Sequence, residues 1–242
     1  MDWRDEGILI AARRHGESAA LVEIFTAAHG RHAGVVRGGG SRRMAPILQP
    51  GTLLSVDWSA RLEEHMGHFR LDPVASPLAA VLADPAALAA LVSLAALIST
   101  SLPERAPHPA LYAATRRLVE GLARRPGWRA DYARWEIALL AELGFGLDLG
   151  RCALTGTTED LAYVSPRTGR AVSRAAAAPW AGRLLPLPAF LRDAGIAAEG
   201  PALAQALALS GHFLEAWLAP TLPRERLPAA RARAVAALLR PR

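Results

Sequence analysis

The chain has 242 residues, 52% of them hydrophobic, and its 28 basic side chains outnumber 22 acidic ones, giving a formal net charge of +6. That length and apolar content allow one large domain or two small ones with a substantial core, and the charge favours an anionic partner. The single cysteine, Cys152, excludes an intramolecular disulfide framework and is typical of a reducing cytosol. Residues 1–6 contain no apolar signal core, so we expect neither secretion nor an N-terminal anchor.

Short apolar runs separated by polar or glycine-bearing turns fill residues 3–75, a pattern typical of β-strands. Leu54, Val56 and Trp58 alternate with polar residues, which indicates a strand with one buried and one solvated face. The pattern predicts a small barrel or sandwich of five strands without a helix. The predicted strands are 7–12, 19–25, 33–36, 53–62 and 68–74, with polar turns at 13–17 and 29–32.

A basic loop, residues 37–52, connects the third and fourth predicted strands. It contains three consecutive glycines together with Arg37, Arg42 and Arg43. Glycines of this kind leave backbone N–H groups accessible, and guanidiniums offer forked donors that suit phosphate oxygens, so the loop predicts a polyanionic ligand. It also fits a solvated hairpin loop whose arginines only keep the protein soluble. A nucleotide P-loop is excluded, because the Gly-Lys-Ser/Thr ending and the following helix are missing.

Beyond Ser76 the composition becomes helical, so we predict two domains, residues 1–76 and 77–242. Asp84 is placed to cap a helix that has Pro85 at its first position. This helix is almost wholly apolar, but it is shorter than the roughly 20 residues that span a bilayer, so we interpret it as core. The predicted helices are 85–98, 111–124, 129–143, 201–218 and 228–239, and a segment at about 146–188 interrupts them with a hairpin at 163–173.

Four stretches, taken together and in this order, resemble the RecO family of bacterial recombination mediators. They are residues 38–50, 135–145, 152–156 and 163–173, and they extend over most of the chain. The resemblance implies an α+β fold in which an N-terminal OB-fold precedes an α-helical domain, in agreement with the spacing of the predicted elements. It also implies a cytoplasmic, nucleoid-associated protein of DNA repair by recombination, with no cofactor.

The resemblance also implies particular ligands and partners. A member of this family is expected to bind single- and double-stranded DNA, to anneal complementary strands, and to cooperate with RecR in loading RecA onto DNA coated by single-strand-binding protein. The basic N-terminal surface then corresponds to Arg37, Arg42 and Arg43. We add Arg13, Arg14 and Arg31 because they lie in predicted turns of the same domain, where they fit solvated turns equally well.

A protein-docking adaptor is an alternative function, in which the helical domain binds a partner and the barrel mainly supports it. In the RecO family the helical domain is expected to receive the acidic, apolar C-terminal tail of single-strand-binding protein. Arg116 and Arg117 are candidates for this contact by their chemistry, although both also fit an ordinary charged surface.

Metal chemistry has two candidate places in the sequence. Some RecO proteins carry a four-cysteine zinc site, whose positions here hold Cys152, Thr155, Ser173 and Ala176, so we predict no zinc.

The segment 63–68 contains two glutamates, His65 and His68, which suggests a metal-dependent nuclease as a further alternative. Because the segment lies in a predicted turn, that spacing fixes no ligand geometry. We find no catalytic motif and predict a protein that is not an enzyme.

The predicted barrel has few aromatic rings for stacking on bases. They are Trp3, Phe25, Trp58 and Phe69, and we expect at least two of them to lie in the core. Base stacking contributes about 1 to 3 kcal/mol for each ring, so electrostatics must provide most of the affinity. DNA binding should therefore depend weakly on sequence and strongly on salt.

Overall fold

A computed structural model describes residues 1–62, 64–178, 180–198 and 201–240 of the chain. Within these residues, five strands come first, and seven α-helices and three further strands follow. The strands are β1 (Asp2–His15), β2 (Ala19–Thr26), β3 (Gly30–Val36), β4 (Leu53–Ser59), β5 (His68–Ala75), β6 (Leu161–Val164), β7 (Ala171–Ser173) and β8 (Leu185–Pro186). The helices are α1 (Leu78–Leu82), α2 (Pro85–Ser101), α3 (Pro109–Gly121), α4 (Trp128–Glu142), α5 (Arg174–Ala177), α6 (Ala202–Phe213) and α7 (Ala229–Leu238).

The first five strands form a closed barrel in the order β1-β2-β3-β5-β4. All neighbours pair antiparallel except β3 and β5, which meet in parallel where Val35 faces His68. A five-stranded barrel of this kind is an OB-fold, so the predicted fold class is confirmed. The β1 strand is longer than predicted and pairs with both β2 and β4, which lets it close the barrel.

Alternating side chains from all five strands fill the barrel. The alternation predicted for Leu54, Val56 and Trp58 is confirmed, since the side chains of all three are buried. Phe25 and Phe69 are buried as well, whereas Trp3 is only partly buried. Three of the four aromatic rings of the barrel are thus core residues.

The apolar helix α2 begins where the sequence predicts. The carboxylate of Asp84 accepts hydrogen bonds from the backbone N–H groups of Ala86 and Ala87, and Pro85 occupies the first helical position. Helix α7 packs along α2. Across the described residues, none of the helices combines the length and the apolar character that crossing a membrane requires.

The chain folds into two compact units. One contains the barrel, α1 to α3 and α7, in residues Met1–Arg125 and Pro228–Leu238, and the other is built on Pro126–Leu227. In the first unit, the hydroxyl of Tyr112 on α3 donates to the backbone carbonyl of Glu6 on β1. The domain division at residue 76 stays a prediction from the sequence.

The second unit contains α4, α5, α6 and a three-stranded sheet in the order β7-β6-β8. The predicted hairpin corresponds to β6 and β7, which pair antiparallel, and β8 adds a strand that the sequence pattern did not predict. Helix α6 is followed by a π-helical turn over Leu214–Leu218. Phe213 and Leu214 lie in the apolar core that the sheet shares with α4 and α6.

Candidate nucleic-acid interface

The basic loop is a chain of hydrogen-bonded turns anchored to the barrel. Its N–H groups at Met44, Ile47 and Leu48 donate to carbonyl oxygens three or four residues earlier. Leu48 is buried in the barrel core, and Met44 and Ile47 pack against the same core. The backbone of the loop is therefore anchored to the barrel, and its arginines lie outside the barrel.

The glycines of this loop serve packing, contrary to the expectation that their N–H groups are accessible. The N–H of Gly39 donates to Val36 and that of Gly40 donates to Ser18, so two of the predicted phosphate donors are already used. A Cβ at Gly39 would lie 2.7 Å from the Cβ of Ala20. The expectation was wrong for Gly39 and Gly40, because glycines also allow close backbone approach and these two let the loop lie against the barrel.

The three arginines of the basic loop project into solvent. Arg37, Arg42 and Arg43 are all exposed, and none forms an ion pair within the described part of the chain. The guanidinium of Arg37 lies 3.4 Å from the Nε2 atom of His68. These side chains are available to phosphate oxygens.

Arg13 and Arg14 are exposed but lie in strand β1, so their assignment to a turn was wrong. The strand continues to His15, because both residues pair with β2. Their end of β1 is adjacent to the basic loop, since Ser18 in the following turn accepts the hydrogen bond of Gly40. A guanidinium nitrogen of Arg14 donates to the carbonyl of Glu17 at 3.4 Å.

Arg31 lies in strand β3, not in a turn, and carboxylates of the protein hold its guanidinium. It donates to Glu23 at 3.2 Å and to Glu104 at 3.4 Å, and its side chain is only 13% exposed. Its Nε also donates to the carbonyl of Leu102. Because a phosphate would have to displace these acceptors, we leave Arg31 out of the proposed contact with DNA.

The two candidate arginines for protein docking differ in their surroundings. Arg116 forms ion pairs with Glu6 on β1 and Glu120 on α3, and hydrogen bonds to these carboxylates, first Glu120 and then Glu6, raise the pKa of its guanidinium. Arg117 is exposed, and its backbone carbonyl accepts a hydrogen bond from Arg125. Arg117 alone of this pair therefore presents an accessible cation.

The sequence interpretation missed a cation on the neighbouring strand. Arg70 on β5 is exposed and lines a hollow of about 470 Å³ together with Arg37 and His68. The missed signal was the alternation along β5, where His68, Arg70 and Asp72 share the exposed face.

Three of the four positions considered for a zinc site, Cys152, Thr155 and Ser173, form a small hydrogen-bonded cluster. The Sγ atom of Cys152 accepts from the N–H and the hydroxyl of Ser173 at 3.3 and 3.5 Å. Burial opposes ionisation, but hydrogen bonds from Thr155, Ser173 and the Leu154 backbone outweigh it and lower the pKa of Cys152 to about 6. Cys152 is buried, as predicted.

Within the segment proposed for a nuclease site, residues 64–67 lie between β4 and β5, and His68 begins β5. Glu63 lies outside the described residues, and His65 and His68 are exposed. Within the described residues, no group of three His, Cys, Asp or Glu side chains is placed to hold a metal ion.

Family models match both parts of the chain. Residues 1–76 match the model described as Recombination protein O N terminal, and residues 82–227 match Recombination protein O C terminal. The DNA repair protein RecO of Cereibacter sphaeroides is 56% identical over 240 residues, which cover 99% of both chains. The proteins of that name from a Ruegeria species and from Dinoroseobacter shibae are 54% and 52% identical, over at least 99% of each chain. The chain therefore belongs to the RecO family of DNA repair and recombination proteins.

Proposed function

We propose that this protein binds single- and double-stranded DNA by contacting phosphates without reading base sequence. The observation that carries the proposal is the exposure of Arg37, Arg42 and Arg43 on an anchored loop, with no ion-pair partner among the described residues. Arg13 and Arg14 extend this surface from the adjacent end of β1. Guanidiniums placed in this way replace the counterions of a phosphate backbone, which gives affinity for any sequence.

Strand annealing follows from the same surface. Arginines that screen two phosphate backbones at once lower the repulsion between complementary strands, and base pairing then supplies the driving force. No covalent bond is made or broken, so the proposed role is that of a mediator and not of an enzyme. Membership of the RecO family supports this role, with RecR, RecA and the tail of single-strand-binding protein as its proposed partners.

A salt titration tests the role of the basic loop. The variant Arg42→Ala with Arg43→Ala should bind fluorescein-labelled single-stranded DNA more weakly at low salt, and equally so for different sequences. The slope of log K against log salt should flatten by about 0.7 to 1.4, since each phosphate contact on a single strand contributes roughly 0.7. The matched control is Arg224→Ala with Arg226→Ala, which removes two exposed charges from the second unit. An unchanged slope in the loop variant would remove the loop from the mechanism.

A second experiment distinguishes a mediator of strand annealing from a protein-docking adaptor. Annealing of complementary oligonucleotides is measured with and without single-strand-binding protein, for the wild type and the loop variant. The mediator role is supported if the wild type accelerates annealing and the loop variant does not. A wild type that captures the single-strand-binding protein tail but neither binds nor anneals naked DNA would show an adaptor instead.

A further inference from the structure

Three aromatic rings stack at one mouth of the barrel. The ring centroids of Trp3 and Trp58 lie 5.7 Å apart, with an angle of 19° between the ring planes. The ring centroids of Trp3 and His29 lie 3.9 Å apart, with an angle of 12° between the ring planes. Trp58 is buried, Trp3 is half-buried, and His29 is a half-buried residue in the turn between β2 and β3. The rings thus form a column that leads from the core to the surface, and His29 is its outermost member.

Hydrogen bonds fix both ends of this column. The indole N–H of Trp58 donates to the carbonyl of Met66 at 3.0 Å. The backbone N–H of His29 donates to the hydroxyl of Thr26 at 3.0 Å, and that of Ala28 donates to the Asp5 carboxylate. The Trp58 ring and the backbone of the turn that carries His29 are therefore held in place before any ligand arrives.

A buried histidine whose ring nitrogens have no hydrogen-bond partner lies beside the column. His32 is only 4% exposed, and neither of its ring nitrogens has a hydrogen-bond partner. Burial lowers the pKa of His32 to about 4, and the charges of Arg105 and His29 add to this effect, so the ring is neutral at pH 7. A neutral imidazole carries one donor and one acceptor, and leaving both unpaired in a folded protein costs free energy that a bound polar group recovers.

Both features line one cavity of about 560 Å³, within the roughly 300 to 1,000 Å³ of ligand pockets. Its walls include Trp3, His29, His32 and Trp58, with the carboxylate of Asp2 and the guanidinium of Arg105. Met1 also lines the cavity, and its terminal ammonium donates to the carbonyl of Ala60. Ring faces next to an unpaired donor and acceptor suit a flat heterocycle.

A chain of hollows leads from this cavity to the basic loop. The cavity shares Asp2, Trp3 and Trp58 with a hollow of about 580 Å³, and that hollow shares Ser59 and Arg70 with the one lined by Arg37. The three hollows are therefore neighbours on the barrel, and they place Arg37 and Arg70 on the same side of it as the ring column.

We propose that the cavity accepts one nucleobase of a bound single strand, which stacks on His29 and meets the unpaired edge of His32. This inference rests on the proposed DNA binding and adds a base contact to it. Loss of one stacking ring typically costs about 1 to 3 kcal/mol, or roughly fivefold to more than a hundredfold in affinity.

The test compares a fluorescein-labelled deoxythymidine oligonucleotide with an abasic oligonucleotide of the same length, which has the same phosphates and no bases. The wild type should bind the deoxythymidine strand at least about fivefold more tightly. His29→Ala removes the ring at the surface end of the column and leaves the core intact. Trp3→Leu removes the middle ring of the column. Both should reduce that preference while leaving affinity for the abasic strand and the salt slope unchanged. Trp180→Leu, which removes an exposed indole elsewhere, is the control and should behave as the wild type does.

The two proposals fail in different ways in this experiment. Equal affinity of the wild type for both strands, or a preference that survives in both His29→Ala and folded Trp3→Leu, overturns the base site and leaves phosphate binding intact. Absence of salt-dependent binding to either strand overturns the proposed function itself. Thermal unfolding followed by circular dichroism establishes that each variant is folded.

Discussion

The guanidinium of Arg31 on β3 donates to the carboxylate of Glu23 on β2 at 3.2 Å, on the outer surface of the barrel. The hydroxyl of Ser99 on α2 donates to the same carboxylate at 2.7 Å. Glu104, in the segment between α2 and α3, supplies a second acceptor for Arg31. A basic residue that the sequence assigned to DNA thus connects the barrel to the helices packed on it.

Replacing Glu23 should destabilise the protein clearly. Glu23→Ala leaves the Arg31 guanidinium, which is 13% exposed, without its closer carboxylate, and we expect a loss of about 1 to 3 kcal/mol in the free energy of unfolding. Urea denaturation followed by circular dichroism measures this loss. The control is Asp57→Ala, which removes the carboxylate from the exposed pair that Asp57 forms with Arg4 and should have little effect. Equal losses in both variants would contradict the structural role of Arg31.

Gly30 and Gly16 provide a matched pair of backbone tests. Both have positive φ angles, of 62° and 63°, so alanine is strained at either position. At Gly30 a Cβ would also overlap the carbonyl of Ala106, whereas at Gly16 nothing lies within 4 Å. We expect Gly16→Ala to cost about 1 kcal/mol and Gly30→Ala at least about 2 kcal/mol more, as measured by urea denaturation. Similar losses would show that residue 106 does not lie against β3.

His32 should make the protein sensitive to mild acid. Its pKa is about 4 in the folded state and near 6.5 in the unfolded chain, so between these values the unfolded state binds more protons. Stability is therefore complete above about pH 6.5 and falls as the pH falls towards 4, with about 2 kcal/mol lost at about pH 5. The charged and titratable groups around the ring are Arg105, His29, Asp2 and the terminal ammonium of Met1. The difference in unfolding free energy between the wild type and His32→Leu should change by that amount between about pH 7.5 and 5, and a constant difference would contradict the shifted pKa.

Cys152 should titrate as an unusually acidic thiol. With its pKa lowered to about 6, the folded protein should show the ultraviolet absorbance of a thiolate at neutral pH, with a midpoint near 6. The folded pKa lies below the unfolded value, so the thiolate contributes stability that is complete above the unfolded pKa and is lost as the pH falls through 6. Cys152→Ser should show no such absorbance. A midpoint above 8 in the wild type would mean that burial outweighs the hydrogen bonds.

Local sequence patterns predicted the elements well and their ends poorly. The caps of α2 and the alternation in β4 depend on neighbouring residues, so both were correct. The predicted end of β1 at residue 12 was too early. Arg13 and Arg14 are polar and were assigned to a turn, but both pair with β2 as part of the strand. Polar side chains on the solvated face of a barrel resemble a turn in the sequence.

The sequence alone determined that a β-rich region precedes a helical one and that an arginine-bearing loop follows the third strand. These features depend on composition and on periodicity along the chain. Only the tertiary structure decided which arginines are available, because Glu23 and Glu104, which hold Arg31, are distant from it in sequence. The same applies to the column of Trp58, Trp3 and His29, since closing the barrel brings together rings from β4, β1 and the turn before β3.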